Sequence, residues 1–154
     1  MPERVPAPDP EPDHLTDGLD RESAYELLQR GEALSRRRHH AQAAIVLERA
    51  ARIEPGKGSI LEPLGRAYHH SGQFDRARET FEALLAVDPS AHWAHFALAE
   101  SLRKLGRLRE ARTHLKLAIA LSPRTDLYRQ AMARLERLHG GSAGESGGRS
   151  GTAA

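Results

Sequence analysis

The sequence predicts an all-α fold, an α-α superhelix of three stacked helix-turn-helix units closed by one further helix. Three observations carry that expectation. Pro55, Pro89 and Pro123 lie 34 residues apart, and a fixed period of that size marks a repeated supersecondary unit. In register with them fall Gly31, Gly65 and Ala99; Leu34, Tyr68 and Leu102; Ala43, Ala77 and Ala111; Leu47, Phe81 and Leu115; and Ala50, Leu84 and Ala118. The composition, 39% hydrophobic but only 5% aromatic, suits thin layers of Ala and Leu better than one thick core.

Taken in order, residues 1–20 hold Pro2, Pro6, Pro8, Pro10 and Pro12. Proline lacks an amide donor and turns the residue before it away from helix, so an extended, disordered acidic arm is expected. The structured domain is expected over residues 21–139. Its first unit, about 24–57, runs Leu27, Gly31 and Leu34, then Ala43, Leu47 and Ala50 up to Pro55. In the second, about 58–91, Ser59 and Glu62 read as a capping box before the helical stripe Leu61, Leu64, Gly65 and Tyr68. Gly72 then supplies a residue suited to left-handed backbone, and Phe74, Ala77, Phe81, Leu84 and Leu85 form the second helix. The third, about 92–125, repeats this with Leu98 and Leu102, a break at Gly106, then Leu108, Ala111, Leu115, Ala118 and Ile119. Leu127, Ala131, Leu135 and Leu138 predict a capping helix at 126–139, and residues 140–154 read as a disordered Gly/Ser-rich tail.

These residues resemble the tetratricopeptide repeat (TPR) family, whose pattern is Trp-x2-Leu-Gly-x2-Tyr, then Ala-x3-Phe, then Pro, over 34 residues. The middle unit matches best through Leu61, Leu64-Gly65, Tyr68, Ala77, Phe81 and Pro89, with leucine in the tryptophan slot. The resemblance spans about residues 24–139 and implies a TPR solenoid that scaffolds other proteins. It also implies weak points. Arg30 stands in the first unit's leucine slot and Arg38 replaces the interhelix glycine, so the first repeat is expected to be the least stable. His95 fills the third unit's tryptophan slot, and Pro63 interrupts the first helix of the middle unit. One TPR subclass grips terminal carboxylates with a lysine, asparagine and arginine clamp. The places where that clamp would stand hold Leu28, Glu32, Pro63, Trp93 and Ala97, so a ligand of that sort is not expected.

The first helix of each pair lines the concave wall of such a superhelix. The predicted partner-binding groove therefore comprises Tyr25, Leu28 and Glu32; Glu62, Arg66 and His69; and Trp93, Phe96, Glu100, Arg103 and Lys104. Ser59 and His70 join them, with Gln130, Arg134 and Arg137 available from the cap. Trp93 beside Phe96, rimmed by Arg66, Arg103 and Lys104, suits a peptide carrying an apolar side chain and an acidic group. The competing arrangement has Trp93 packed sideways between repeats.

Charge is divided unevenly. Residues 1–20 sum to −5 while the whole chain is +2, which leaves +7 on the domain. An anionic partner, or the acidic arm folded over the groove, would answer that asymmetry. With no cysteine, thiolate catalysis, disulfides and Cys-based zinc sites are excluded. The histidine pairs His39-His40, His69-His70 and His92/His95 lack the third ligand and spacing of a zinc site, and no cofactor is expected. No nucleophile elbow, phosphate loop or dinucleotide fingerprint appears, so no enzyme is read here. No apolar run approaches the roughly 20 residues of a membrane span, and a cytoplasmic location is expected. The first reading is a protein-interaction module that binds a peptide or helix of another protein. The alternatives are a nucleic-acid accessory using the Arg36-Arg37-Arg38-His39-His40 run, and self-assembly through the repeat edges.

Overall fold

The computed structural model describes Pro2 and residues 21–143. Among the described residues there are seven helices and no strand: α1 (Ala24–Arg36), α2 (His40–Ile53), α3 (Gly58–His70), α4 (Phe74–Val87), α5 (His92–Lys104), α6 (Leu108–Leu121) and α7 (Asp126–Ala143). They form the hairpins α1/α2, α3/α4 and α5/α6, and the predicted prolines stand in the loops between hairpins. The expected arm at 1–20 lies outside the described residues apart from Pro2, as does the expected tail beyond 143. The last helix is longer than expected. It runs to Ala143 through Gly140 and Gly141 rather than ending at residue 139. Glycine weakens a helix interior by about 1 kcal/mol without forbidding it, so glycine alone does not set this boundary.

Each hairpin is stitched by the same pair of residues. A β-carbon on Gly65 would stand 2.6 Å from the Phe81 ring, and one on Gly31 would stand 2.5 Å from Leu47. Only hydrogen lets α3 approach α4 this closely. Phe81 is 1% exposed and Leu47 is fully buried, each burial contributing roughly 1.5–3 kcal/mol. In the third hairpin Ala99 and Leu115 take these places and both are buried.

The three interhelix turns share one hydrogen-bond pattern. The Gln73 amide donates to Tyr68 at 2.8 Å, Arg107 to Leu102 at 2.9 Å, and His39 to Leu34 at 2.9 Å. The geometry demands one left-handed residue, which is Gly72 at φ 81°, Gly106 at φ 77° and, in the first hairpin, Arg38 at φ 64°. Arg30, with its side chain 48% exposed, pairs with Glu22, which also receives Arg49 at 3.5 Å.

The capping expectation needs correction. Lys57 caps α3 with no side-chain bond, and Ser59 lies inside the first turn because the Ile60 and Leu61 amides already bond the Lys57 carbonyl. The capping box belongs to α1. There Ser23 Oγ accepts from the Glu26 amide at 3.2 Å and Glu26 accepts from the Ser23 amide at 2.8 Å.

Candidate partner-binding groove

Two adjoining cavities lie along the wall built by α1, α3, α5 and the start of α7. The first, about 440 Å³, is an aromatic pocket between α3, α5 and α7. Trp93 stands on α5 one turn ahead of Phe96 and Ala97, so the helical period puts all three on the wall. The Trp93 ring meets Phe81 edge-on, with centroids 6.4 Å apart. That contact ties it to the core, while its other surface lines the pocket. Trp93 thus packs sideways against Phe81 and also lines the cavity. Arg66 of α3 lies over the indole at 5.4 Å, a cation–π distance, and pairs with Glu62 one turn earlier at 3.0 Å. Tyr128 closes the far side against Phe96, centroids 5.2 Å apart, and its hydroxyl lies 2.7 Å from His92 Nδ1. Leu127, 47% exposed, leaves an apolar lip at the mouth.

The pocket's polar groups are held in place. Ser101 Oγ donates to the Ala97 carbonyl at 3.0 Å, so His69 Nδ1, 3.0 Å from Ser101 Oγ, must be the donor to that hydroxyl. That leaves His69 Nε2 as an acceptor. Burial first, then His70, pushes the His69 imidazole below its ordinary value, with Glu100 opposing. Glu100 is itself engaged by Arg103 at 3.0 Å. His70 is likewise lowered, by burial and then by His40, Arg66 and Arg38.

The second cavity, about 650 Å³, is polar and lies between α1 and α3. Glu32, Arg36, Glu62, Arg66 and His70 line it, and Arg66 and His70 belong to both cavities. Pro63 also faces it. Sitting past the first turn of α3, it has no N–H to offer the Ser59 carbonyl.

Of the predicted groove residues, Glu32, Glu62, Arg66, His69, Trp93, Phe96 and Glu100 line one or both cavities. Four do not. Tyr25 is 70% exposed at the open edge of the first layer, and Leu28 packs partly buried against the core. Arg103 is turned to Glu100, and Lys104 lies over the Phe74 ring at 5.9 Å. Gln130, Arg134 and Arg137 of the cap line neither cavity. The helical period did not point to Thr125, Leu127 and Tyr128, which the loop before α7 and the first turn of α7 bring in.

His92 and His95, neighbours on one helix, do not act as a pair. His95 is 7% exposed, with Nε2 3.0 Å from the Pro89 carbonyl and Nδ1 3.0 Å from His114 Nδ1. Nε2 must carry the proton to reach a carbonyl, so His95 Nδ1 accepts from His114. Burial, then His95, holds His114 below its ordinary value. Among the described residues no three His, Asp or Glu side chains gather as a metal site, and no helix is long and apolar enough to cross a membrane.

Comparison with known proteins places this geometry. The tetratricopeptide repeat family profile matches residues 63–124. The mouse protein O-mannosyl-transferase TMTC1 is 26% identical over 108 residues, 68% of this chain, but the chain spans only 12% of that protein's length. The Sgt2 TPR domain from Aspergillus fumigatus superposes with a TM-score of 0.74 at 20% identity, over 85% of this chain and 88% of that domain. The first TPR domain of Spaghetti (RPAP3), solved bound to an HSP90 peptide, superposes at 0.72 with 15% identity, over 77% and 94% of the two chains.

Proposed function

We propose that this chain, a tetratricopeptide-repeat protein, is an adaptor that holds a peptide or helix segment of another protein against its concave wall. The observation that carries the reading is the aromatic pocket of about 440 Å³ with Arg66 5.4 Å above Trp93. An apolar side chain of the partner would enter between Trp93, Phe96 and Tyr128. A carboxylate beside it would meet the outer N–H donors of Arg66, the fork not already taken by Glu62. The polar trough past Arg66 would receive the rest of the segment through Glu32, Glu62 and His70.

The peptide-bound RPAP3 domain supports a peptide as the kind of guest such a wall takes. The chain does not carry a carboxylate clamp at Leu28, Glu32, Pro63, Trp93 and Ala97, so the proposed guest is gripped through an apolar anchor. Half-buried aromatics rimmed by polar groups are where binding energy concentrates.

The test is capture of partners by the intact chain and by Trp93→Ala, with circular dichroism confirming that both are folded. Partners that bind the intact chain and are lost with Trp93→Ala support the pocket. Partners that bind both forms equally remove it. Affinity for the pocket should survive added salt, whereas a nucleic-acid partner would be released steeply.

A further inference from the structure

The second helices approach one another across the stack. α4 lies across α2 and α3, where Arg76 reaches Glu48 of α2 at 3.1 Å and Tyr68 of α3 donates its hydroxyl to the same carboxylate. One layer on, Arg107 at the head of α6 pairs with Glu110 at 2.8 Å, and Glu82 and Asp75 of α4 are the further carboxylates that act on it. The next position in this series is the groove between α6 and α7, about 490 Å³, and no described helix fills it. Leu108 and Leu135 form its apolar floor, and Arg109, Arg112 and Lys116 stand along its α6 side.

Exposure along one repeat position identifies this groove as the open layer. Ala44 is 1% exposed, the Arg78 side chain 20% and the Arg112 side chain 53%. The facing position on the first helices behaves alike: Tyr68 and Leu102 are buried at 7% and 1%, while the Glu136 side chain is 56% exposed. The 34-residue period puts Glu145, Arg149 and Thr152 where α6 buries Ala111, Leu115 and Ala118, and such a face would take charge into a core.

The charge of the groove is reversed relative to the inner layers. One repeat position reads Glu48, Glu82 and Lys116, and another reads Asp75 and Arg109. Glu48 thus receives Arg76 of the next second helix and Glu82 pairs with Arg78 of its own helix, while the outermost second helix carries cations at these positions. Glu136 answers only Arg112, at 3.7 Å. Among the described residues no ion pair engages Arg109 or Lys116.

We propose that the α6/α7 groove is a second docking surface, which takes an acidic amphipathic helix of a partner protein in the place an eighth helix would hold. Its apolar ridge packs on Leu108 and Leu135, as α4 and α6 pack on the layers before them. Its carboxylates face Arg109, Arg112 and Lys116. The acidic residues 1–20 of this chain are a poor occupant, because their prolines do not continue a helix.

The probe is a helix-stapled peptide of the α4 sequence, residues 74–87, prepared with Arg76 retained and with Arg76→Glu. Arg76 is the side chain that meets Glu48, so its place in the peptide would face Lys116. Titrated against the full chain by fluorescence anisotropy, the Arg76→Glu peptide should bind roughly tenfold more tightly than its parent, a gap that narrows with added salt. Lys116→Glu in the chain should reverse that order, and Trp93→Ala on the concave wall should leave both affinities unchanged. Equal affinities for the two peptides, no saturable binding, or indifference to Lys116→Glu overturns the proposal. A concentration-dependent mass in light scattering that Lys116→Glu abolishes gives the groove to a second copy and overturns it equally.

Discussion

The first and middle hairpins have the same backbone and different residues at the places that should matter most. Both turns close through the same hydrogen bonds, yet one uses Gly72 and the other Arg38 for the left-handed residue. Both cross-helix contacts need a glycine, yet Gly65 faces an aromatic ring and Gly31 a leucine. The α3/α4 hairpin is packed on both sides by α2 and α5, while α1 is an edge sealed by the Ser23–Glu26 box and the Glu22 ion pairs. The lesson is that the turn geometry comes from stacking. Glycine lowers the strain of that geometry without being its cause.

Mutations sharpen this contrast. Phe81→Ala should cost about 3–5 kcal/mol in urea unfolding and Leu47→Ala less, toward the low end of about 2–5 kcal/mol. An equal or larger loss at Leu47 would contradict the expectation that the first hairpin is the weaker of the two. Gly65→Ala should cost about 1–3 kcal/mol, because the new methyl group meets a rigid ring at 2.6 Å. Gly31→Ala should cost a similar amount, because its methyl group would meet Leu47 Cγ and Cδ2 at 2.5 Å in a fully buried site; equilibrium melts of the two variants read both costs directly. Arg38→Gly should stabilise the chain by about 1 kcal/mol by relieving left-handed strain at a non-glycine residue. A neutral or destabilising result would show that the Arg38 side chain contributes contacts of its own.

The smallest effect is on pH dependence. His69 and His114 are both held below their ordinary value of 6.5. The unfolded chain therefore takes up protons before the folded one does as pH falls. Their contribution to stability is complete above 6.5 and declines as pH drops from there toward the lowered folded values. Thermal melts between about pH 7 and 5 should show this decline, and His114→Gln should flatten it. A melting temperature that rises on acidification would contradict the burial of the His95–His114 pair.

Much of the fold was legible because its punctuation is local. Pro55, Pro89 and Pro123 end hairpins, and Gly72 and Gly106 sit at positive φ, which glycine adopts without steric cost. The α1 cap was also written in the sequence, as Ser23 followed three residues later by Glu26, whereas Ser59 and Glu62 share that spacing but lie inside α3. Gly56 at φ 73° and the Lys57 cap had already fixed the start of α3. The groove was half legible. Helical period and the stacking of first helices in a repeat superhelix place Trp93, Phe96 and Arg66 on one wall, but Tyr128 and Leu127 join them only through the docking angle of α7, which no local pattern states. His95 finds His114 across a hairpin for the same reason.

Trp93 is the chain's single tryptophan, which makes its emission a direct report on the aromatic pocket. A partner recovered by capture, titrated into the intact chain, should shift that emission saturably, with a midpoint equal to the binding constant measured independently. Full binding that leaves the Trp93 emission unchanged would contradict the concave wall as the site of recognition.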